Sequence, residues 1–199
     1  MPDGWVRGTF GDCVALDVEQ VSVDEGREYP VVGVLGFGRG LLSRSPVTSV
    51  STSYKALNHI RPDQLVYSKL KAFEGAITVV PSDQPESYAS QEFPTFTLHE
   101  SMLPNYLRLV TQQPSLWETL ARDSKGIGGR RERLNPKDLL NIPLAIPPLR
   151  EQERIADLIG VLDDTIAATR LAGDRLQRVL EVQRDELLWA TEERIPLAQ

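Results

Sequence analysis

A glycine-rich segment in the second half of the chain concentrates positive charge in a pattern suited to binding phosphate. Residues 125–133 read KGIGGRRER, which places Lys125, Arg130, Arg131 and Arg133 among three glycines. Glycine lets a backbone approach a phosphate ribbon closely, and the arginine fork pairs bidentately with phosphate or with guanine. We predict that this segment is a loop that contacts nucleic acid. The alternative interpretation is that these arginines form salt bridges to acidic surface residues.

A second group of polar and basic residues lies earlier in the chain. The run STSYK at residues 51–55 supplies hydroxyls and a cation, which suit contacts with phosphates or base edges. We expect loop arginines to read bases and lysines to contact phosphates. The candidate contact residues of this group are Arg39, Arg44, Ser53, Tyr54, Lys55, Lys69 and Lys71.

Patterns that would support catalysis are missing from the sequence. The glycines of residues 33–40 do not have the spacing of a dinucleotide-binding loop, and no Walker lysine follows them, so they predict a flexible turn. Asp63 lacks the second carboxylate that a nuclease metal site needs beside its lysine. His59 and His99 have no recognisable nucleophile partner, and Cys13 is expected to be a small buried side chain. We predict no catalytic residues, no metal and no cofactor.

Charge is distributed unevenly along the chain, although the total is −6. Residues 39–75 and residues 122–137 each hold six basic against two acidic side chains, a net charge of +4. Residues 151–199 hold six basic and eleven acidic side chains, a net charge of −5. Such segregation is expected if one face of the molecule meets a polyanion, whereas scattered solvated charge is the alternative.

Composition places the chain among soluble globular proteins, with 41% hydrophobic and 25% charged residues. No apolar run approaches the roughly 20 residues that span a bilayer, and the N-terminus lacks the basic and apolar regions of a signal peptide. A single cysteine forms no internal disulfide. We therefore expect a cytoplasmic protein.

Hydrophobic patterning predicts an α+β fold in which residues 1–148 form a β-rich domain. Prolines preceding apolar periodicity predict short helices that start at Pro104, Pro114 and Pro136, the last with Asn135 as its N-cap. Pro147 and Pro148 end the domain. The predicted extended segments are residues 29–35, 64–70, 75–80, 92–98 and 142–146.

From residue 151 to about residue 190 the chain contains no proline, and its apolar side chains recur three and four residues apart. This heptad pattern predicts a coiled-coil helix of about 60 Å whose apolar seam packs on a partner helix. The seam has weak points at Thr169, Gly173 and Gln183. The residues predicted to form the partner-facing surface are Ile155, Ile159, Leu162, Ile166, Leu176, Leu180 and Leu187.

Several segments resemble those of type I restriction–modification specificity subunits. They include residues 36–41, 65–76, 90–96 and 128–134. The most specific is IPLAIPPLREQERI at residues 142–155, which resembles the family's boundary between recognition domain and coiled-coil region, usually IPLPPLxEQxRI. Ala145-Ile146 departs slightly from that form, which we expect only to lengthen the extended segment.

The resemblance implies a target-recognition domain over residues 1–148 that meets the DNA major groove. Residues 149–199 would then be a coiled-coil helix for dimerisation and partner docking. Full specificity subunits usually carry two such domains and two helices, whereas this chain has one of each, which implies an antiparallel homodimer reading a bipartite, palindromic site on double-stranded DNA. The partners implied are a DNA adenine methyltransferase subunit and a restriction subunit. The chain itself is then not an enzyme.

Two alternatives remain open from the sequence. In one, the chain is a fragment whose other half lies elsewhere. In the other, it is a non-enzymatic coiled-coil scaffold whose β-rich domain binds peptide or protein. The scaffold predicts no salt-sensitive DNA affinity, whereas a DNA reader predicts affinity that falls steeply with salt.

Overall fold

A computed structural model describes residues 2–127 and 130–192 of the chain. The side chains of residues 123, 125–127, 130–132 and 189–192 lie outside this description. By compactness the chain divides into two units, residues 1–156 and residues 157–199. The first is a β-rich domain with three short helices, and the second consists of the greater part of a long helix.

The described part of the chain contains thirteen strands and four α-helices. The strands are β1 Val6–Thr9, β2 Val14–Leu16, β3 Gln20–Ser22, β4 Tyr29–Val34, β5 Leu41–Val47, β6 Ala56–Ile60, β7 Leu65–Tyr67, β8 Ile77–Val79, β9 Ser87–Ala89, β10 Thr95–Leu98, β11 Lys125–Ile127, β12 Arg130–Arg133 and β13 Pro143–Ile146. The helices are α1 Pro104–Thr111, α2 Pro114–Asp123, α3 Pro136–Leu140 and α4 Leu149–Glu192. Short 3₁₀ turns cover Phe10–Asp12 and Ala72–Glu74.

Five strands form the sheet that bears the candidate site, in the order β3-β6-β9-β4-β5. Its pairs are antiparallel except β4 with β9, which run parallel. The apolar strand β4 lies inside the sheet, and β5 forms one edge. Most of β5 is exposed, which fits an edge strand that carries Arg44 and Pro46.

A four-stranded sheet in the order β2-β10-β7-β8 packs on the main hydrophobic core. Phe10, Tyr67 and Phe96 are fully buried there, together with Leu107 of α1 and Leu120 of α2. Because burial of large apolar side chains is the main stabilising term in folding, this core holds α1 and α2 against the sheet.

The three short helices start where the sequence predicts. Pro104, Pro114 and Pro136 each occupy the first turn, where a missing backbone N–H costs nothing. Asn135 precedes α3 at the N-cap position, but its side chain donates to Asp138 at 3.2 Å and makes no capping bond.

The first turn of α4 is anchored in the β-rich domain. Gln152 is fully buried and binds three backbone groups of residues 101, 103 and 147. Ile155, which is predicted to face a partner helix, is instead half-buried against the main core of its own domain. The helix begins at Leu149, the first residue of the predicted coiled-coil segment.

Candidate nucleic-acid interface

A tight turn after β4 positions Arg39. Leu35 donates its backbone N–H to Gly40 at 2.9 Å, and the turn contains positive φ angles at Phe37 (60°) and Gly38 (62°). The Arg39 guanidinium Nε donates to the Gly36 carbonyl at 3.0 Å, while the rest of its exposed side chain lies free of hydrogen bonds to other described residues. The glycines of residues 33–40 therefore form a turn, as the sequence predicts, and this turn presents Arg39.

This turn is docked on the backbone beside the Ala72–Glu74 turn. Phe37 N donates to Glu74 O at 2.7 Å, and Gly38 N donates to Gly75 O at 3.2 Å. With the turn docked in this way, Arg39 and Lys71 line the same surface groove. Lys71 is exposed and lies 3.4 Å from the Glu74 carboxylate, three residues on.

Arg44 reaches the same place from the edge strand β5. It pairs with Val31 across the β4–β5 ladder, and its guanidinium lies over Gly33. A Cβ atom at Gly33 would stand 3.2 Å from the Arg44 Nε, so the glycine makes room for the arginine. Arg44 makes no ion pair with any residue whose side chain is described.

These side chains line one surface groove of about 380 Å³, which we call the basic groove. It is continuous with a depression of about 450 Å³ through shared residues that include Gly33, Arg44 and Phe93. The predicted contact residues that it brings together are Arg39, Arg44, Tyr54 and Lys71. Two carboxylates, Glu74 and Glu92, also line it.

Arg133 is tied to the basic groove through Glu92. Its guanidinium pairs with one Glu92 oxygen, and the other oxygen, Oε2, is buried without a hydrogen-bond partner among the described residues. The backbone of Lys69 links the two segments, because its N–H donates to Glu92 O at 2.9 Å and its carbonyl accepts from Leu134 N at 3.0 Å. The Tyr67 hydroxyl donates to Leu134 O at 2.9 Å, and burial raises the pKa of this phenol well above its usual range.

The basic segment of residues 125–133, predicted to be a loop, contributes two paired strands that form a hairpin. Strands β11 and β12 pair antiparallel, with Lys125 opposite Arg133 and Ile127 opposite Arg130. The prediction of a loop was wrong for residues 125–127 and 130–133, which pair with each other as strands and include Gly126 in β11. The side chains of Lys125, Arg130 and Arg131 lie outside the described residues.

Ser53 and Lys55 are exposed but do not line the basic groove. Tyr54, which lies between them, is half exposed and lines the basic groove. Thr52 lines only the adjoining depression. Arg61, part of one basic segment of the sequence, is instead paired with Asp17 at 2.5 Å. Together with a 2.5 Å hydrogen bond from Thr97, which contributes most, that pairing holds the pKa of Asp17 below its usual value.

Residues of the segment 90–93 line the groove at positions that were not predicted to belong to the site. Ser90, Glu92 and Phe93 line the groove, and Asn58 donates its amide to the Phe93 carbonyl at 3.0 Å. Nothing in their types or spacing singles them out, because an acidic residue and a phenylalanine in an extended segment are ordinary strand neighbours. Only the resemblance of residues 90–96 to the family's segments pointed to this region.

The described residues contain no group of three or more histidine, cysteine or acidic side chains arranged to hold a metal ion. His59 stacks on Tyr88, with ring centroids 5.3 Å apart, and lies 3.3 Å from Glu19. Cys13 is fully buried, as predicted, and burial raises the pKa of its thiol to about 11. No helix in the described ranges is long and apolar enough to cross a membrane.

Beyond residue 156, α4 exposes an apolar seam. Its large side chains are 47–71% exposed at Leu162, Ile166, Leu176, Leu180 and Leu187. Ile159 is half exposed. The helix runs unbroken to Glu192, with the spacing that the sequence predicts.

These features define an α+β protein in which a β-rich domain carries a basic groove and is followed by a long C-terminal helix. The chain belongs to the family of type I restriction modification DNA specificity domains, whose family model matches residues 23–176. The resemblance found in the sequence is thereby confirmed. No curated protein sequence matches the chain.

Solved structures with the same fold support the assignment of fold class. The HsdS subunit from Thermoanaerobacter tengcongensis is 22% identical with a TM-score of 0.70, over 96% of this chain and 49% of that one. A chain from a structure on complex assembly and conformational transition of the type I R-M system is 18% identical with a TM-score of 0.54, over 94% and 44%. The type I restriction-modification S subunit from M. genitalium is 14% identical with a TM-score of 0.50, over 91% and 43%.

The predicted fold class, a β-rich domain followed by a long C-terminal helix, is confirmed by these structures. At such identities the similarity concerns the fold alone. This chain spans about half the length of each of the three chains that it matches.

Proposed function

We propose that this chain recognises a DNA sequence on behalf of a type I restriction–modification system and has no catalytic activity of its own. The observation that carries the proposal is the basic groove, in a chain that belongs to the specificity-domain family. Arg39, Arg44 and Lys71 approach one another there from segments that are separate in the sequence. Convergence of cations on one concave surface is what phosphate neutralisation by a protein requires.

The types of side chain in the groove suit different parts of this task. The Arg44 guanidinium, exposed and without an ion pair to the described residues, is free to present its fork to guanine or to a phosphate. Tyr54 and Phe93 offer aromatic surface for contacts with base methyl groups or sugars. Arg133, held by Glu92, lies at the side where the basic hairpin begins.

We include Lys125, Arg130 and Arg131 of the hairpin in the proposed DNA-contact surface, together with Lys69, whose carbonyl accepts from Leu134 N at 3.0 Å just after the hairpin. Ser53 and Lys55, exposed in the segment that bears Tyr54, would extend it with phosphate contacts. In this arrangement the chain directs a partner adenine methyltransferase to a bipartite site. A homodimer through α4 supplies the second half of the reader, and an ATP-dependent restriction subunit would be a further partner.

DNA binding by the purified chain with its methyltransferase subunit tests the proposal. Replacing Arg39 and Arg44 by alanine should weaken binding at least about tenfold and reduce the slope of log affinity against log salt by about 2, since each lost phosphate contact contributes about 0.9. The control replaces Arg175 and Arg178 of α4, which changes the net charge equally outside the groove. Equal affinities for the two double variants would contradict the assignment of the groove.

Sequence-specific readout needs a separate experiment. Mapping methylated bases across the genome with and without this gene should show the loss of one bipartite motif. Unchanged methylation would reject the recognition function. Retained specific binding by a triple alanine variant at Arg130, Arg131 and Arg133 would reject only the role of the hairpin. A scaffold protein, the other function considered, would show no salt-sensitive DNA affinity at all.

A further inference from the structure

The apolar seam of α4 has a flank whose charges specify how two helices pair. The seam repeats every seven residues, with Ile166, Gly173 and Leu180 at one core position and Leu162 and Leu176 at the other. We propose that a second copy of this chain packs antiparallel on this seam, in the register that places Asp163 of each copy opposite Arg184 of the partner copy. The inference rests on the homodimer of the proposed function and assigns its geometry.

The charged flank lies one residue after the second core position. At seven-residue steps it carries Asp163, Arg170, Gln177 and Arg184. The opposite flank carries Leu158, Thr165, Ala172 and Val179, all uncharged, and then Glu186 near its end, which faces Thr165 of the partner copy in the proposed register. When two such helices run antiparallel, each flank meets the same flank of the partner. The proposed register then forms two Asp163–Arg184 ion pairs across the two-fold axis and faces each Arg170 with a Gln177 amide.

Neighbouring antiparallel registers are disfavoured by like charge. Sliding one helix by a heptad in one direction brings Arg170 opposite Arg170 of the partner copy. Sliding it in the other direction brings Arg170 opposite Arg184 of the partner copy. Like charges at facing positions are destabilising, so both shifts lose two attractive pairs and gain repulsion. The charges therefore select one register of the three.

A parallel arrangement is disfavoured by both charge and volume. In parallel helices the charged flank would meet the opposite flank, which gives Asp163, Arg170 and Arg184 no oppositely charged partner, so no ion pair would form. Identical core positions would also meet, which places Gly173 opposite Gly173 and Thr169 opposite Thr169. A Cβ atom at Gly173 has no neighbour within 4 Å, so a pair of glycines would leave a hole in the interface.

In the proposed register every weak point of the seam meets a large apolar side chain. The facing pairs, written with the partner copy's residue second, are Leu162 with Leu187, Ile166 with Gln183, Thr169 with Leu180, and Gly173 with Leu176. Thr169 is suited to burial because its hydroxyl already donates to the Thr165 carbonyl at 2.8 Å, which leaves no unpaired donor. Small residues facing large ones keep the packed volume even along the interface.

Charge exchange in the full-length chain tests this register. Asp163→Arg should raise the dimer dissociation constant at least about tenfold, because it replaces two attractive contacts by two Arg–Arg contacts. Adding Arg184→Asp to the same chain should restore dimerisation to within about threefold of the unaltered chain. Asp164→Arg, one residue further on and pointing away from the seam, is the control and should leave the constant unchanged. Sedimentation equilibrium measures all four proteins. The register would be overturned if the double variant failed to recover dimerisation. It would also be overturned if Asp163→Arg and Asp164→Arg changed the dissociation constant equally.

Crosslinking provides a second measurement that does not depend on destabilising the dimer. A chain with Asp163→Cys mixed with a chain with Arg184→Cys should form covalent heterodimers with a short bismaleimide, whereas neither variant alone should crosslink. The native Cys13 is fully buried and stays unreactive. Self-crosslinking of either variant, or a monomeric chain, overturns the proposal. DNA affinity is measured in parallel. A monomer that still binds DNA would reject the dimer register and leave the recognition proposal standing. A crosslinked dimer that binds no DNA would support the register and reject the recognition proposal.

Discussion

Gln152 accepts a hydrogen bond from the backbone N–H of Leu103 at 2.8 Å, across 49 residues of sequence. Its amide nitrogen donates to the carbonyls of Ser101 and Pro147, both at 2.9 Å. The side chain is fully buried, so one glutamine satisfies three backbone groups from two other segments in a place that water does not reach. The start of α4 is thus fixed to the residues before α1 and after β13.

Replacing this glutamine should destabilise the domain strongly. Gln152→Leu keeps the approximate size but leaves the Leu103 N–H and two carbonyls without partners, and we expect a loss of about 3 kcal/mol in the free energy of unfolding. Glu153→Leu at the exposed neighbouring position is the control, with an expected change below about 0.5 kcal/mol. Urea denaturation followed by tryptophan fluorescence makes the comparison. Similar unfolding free energies for the two variants would show that the bonds of Gln152 contribute little.

Gly75 and Trp117 give a second prediction about stability. Gly75 has a φ of +68°, and a Cβ atom there would lie 2.6 Å from the Trp117 indole. Gly75→Ala should therefore cost the backbone strain of about 1 kcal/mol and a further penalty for displacing the ring. Gly26→Ala is a matched control, because Gly26 has a φ of +77° but open space around it. Thermal unfolding should show the larger decrease in melting temperature for Gly75→Ala, and equal decreases would contradict the steric argument.

The Cys13 thiol should make part of the stability depend on alkaline pH. Burial, with a smaller contribution from the Asp12 carboxylate, raises its pKa to about 11 from the usual 9.0. The unfolded chain loses this proton near pH 9 and the folded chain only near pH 11, so rising pH favours the unfolded state in that interval. Cys13→Ala removes this contribution.

We therefore expect the unaltered chain to lose more stability than Cys13→Ala between pH 9 and pH 11. Tyrosine ionisation is common to both proteins except at Tyr106, whose pKa is raised by burial and to a smaller extent by Cys13. The other tyrosines cancel in the comparison. At pH 8, a thiol reagent should label Cys13 only on the timescale of unfolding, since the side chain is both protonated and sealed from solvent. Rapid labelling in native buffer would mean that the thiol is accessible.

Glu92 should weaken non-specific DNA binding in the proposed function, because it places a negative charge in the basic groove and pairs with Arg133. Glu92→Gln should raise affinity for a random duplex by about threefold at low salt and less at high salt. Glu86→Gln is a suitable control, since Glu86 pairs with Arg27 and does not line the groove. Fluorescence anisotropy measures both variants. A decrease in affinity for Glu92→Gln would argue that Glu92 holds Arg133 in its DNA-contacting position.

Local rules accounted for the elements whose signals lie in adjacent residues. The prolines at 104, 114 and 136 located three helices correctly, and the apolar run at residues 29–35 located β4. Strand β5 was not predicted, because Leu41–Val47 contains a proline and mostly exposed residues, as an edge strand can and an interior strand cannot. The hairpin of β11 and β12 was mistaken for a loop because the glycines outweighed the pairing of the residues on either side.

The candidate site was predictable in residue type but not in arrangement. Arginines and lysines in charged segments were identifiable, and three of them, Arg39, Arg44 and Lys71, line one groove together with Tyr54. Their convergence depends on hydrogen bonds from Phe37 and Gly38 to the backbone of residues 74 and 75, which involve no side chain and leave no mark in the sequence. The same reason hid Glu92, whose position is set by the backbone of Lys69.

The exposed edge of β5 has a consequence for solubility. An edge strand offers unpaired backbone groups to any other strand that approaches it, and proteins commonly guard such edges with a charge or a proline. Arg44 and Pro46 stand in this strand. The arginine proposed to touch DNA therefore also helps to keep one molecule from adding its sheet to another, and an apolar residue in its place would favour aggregation.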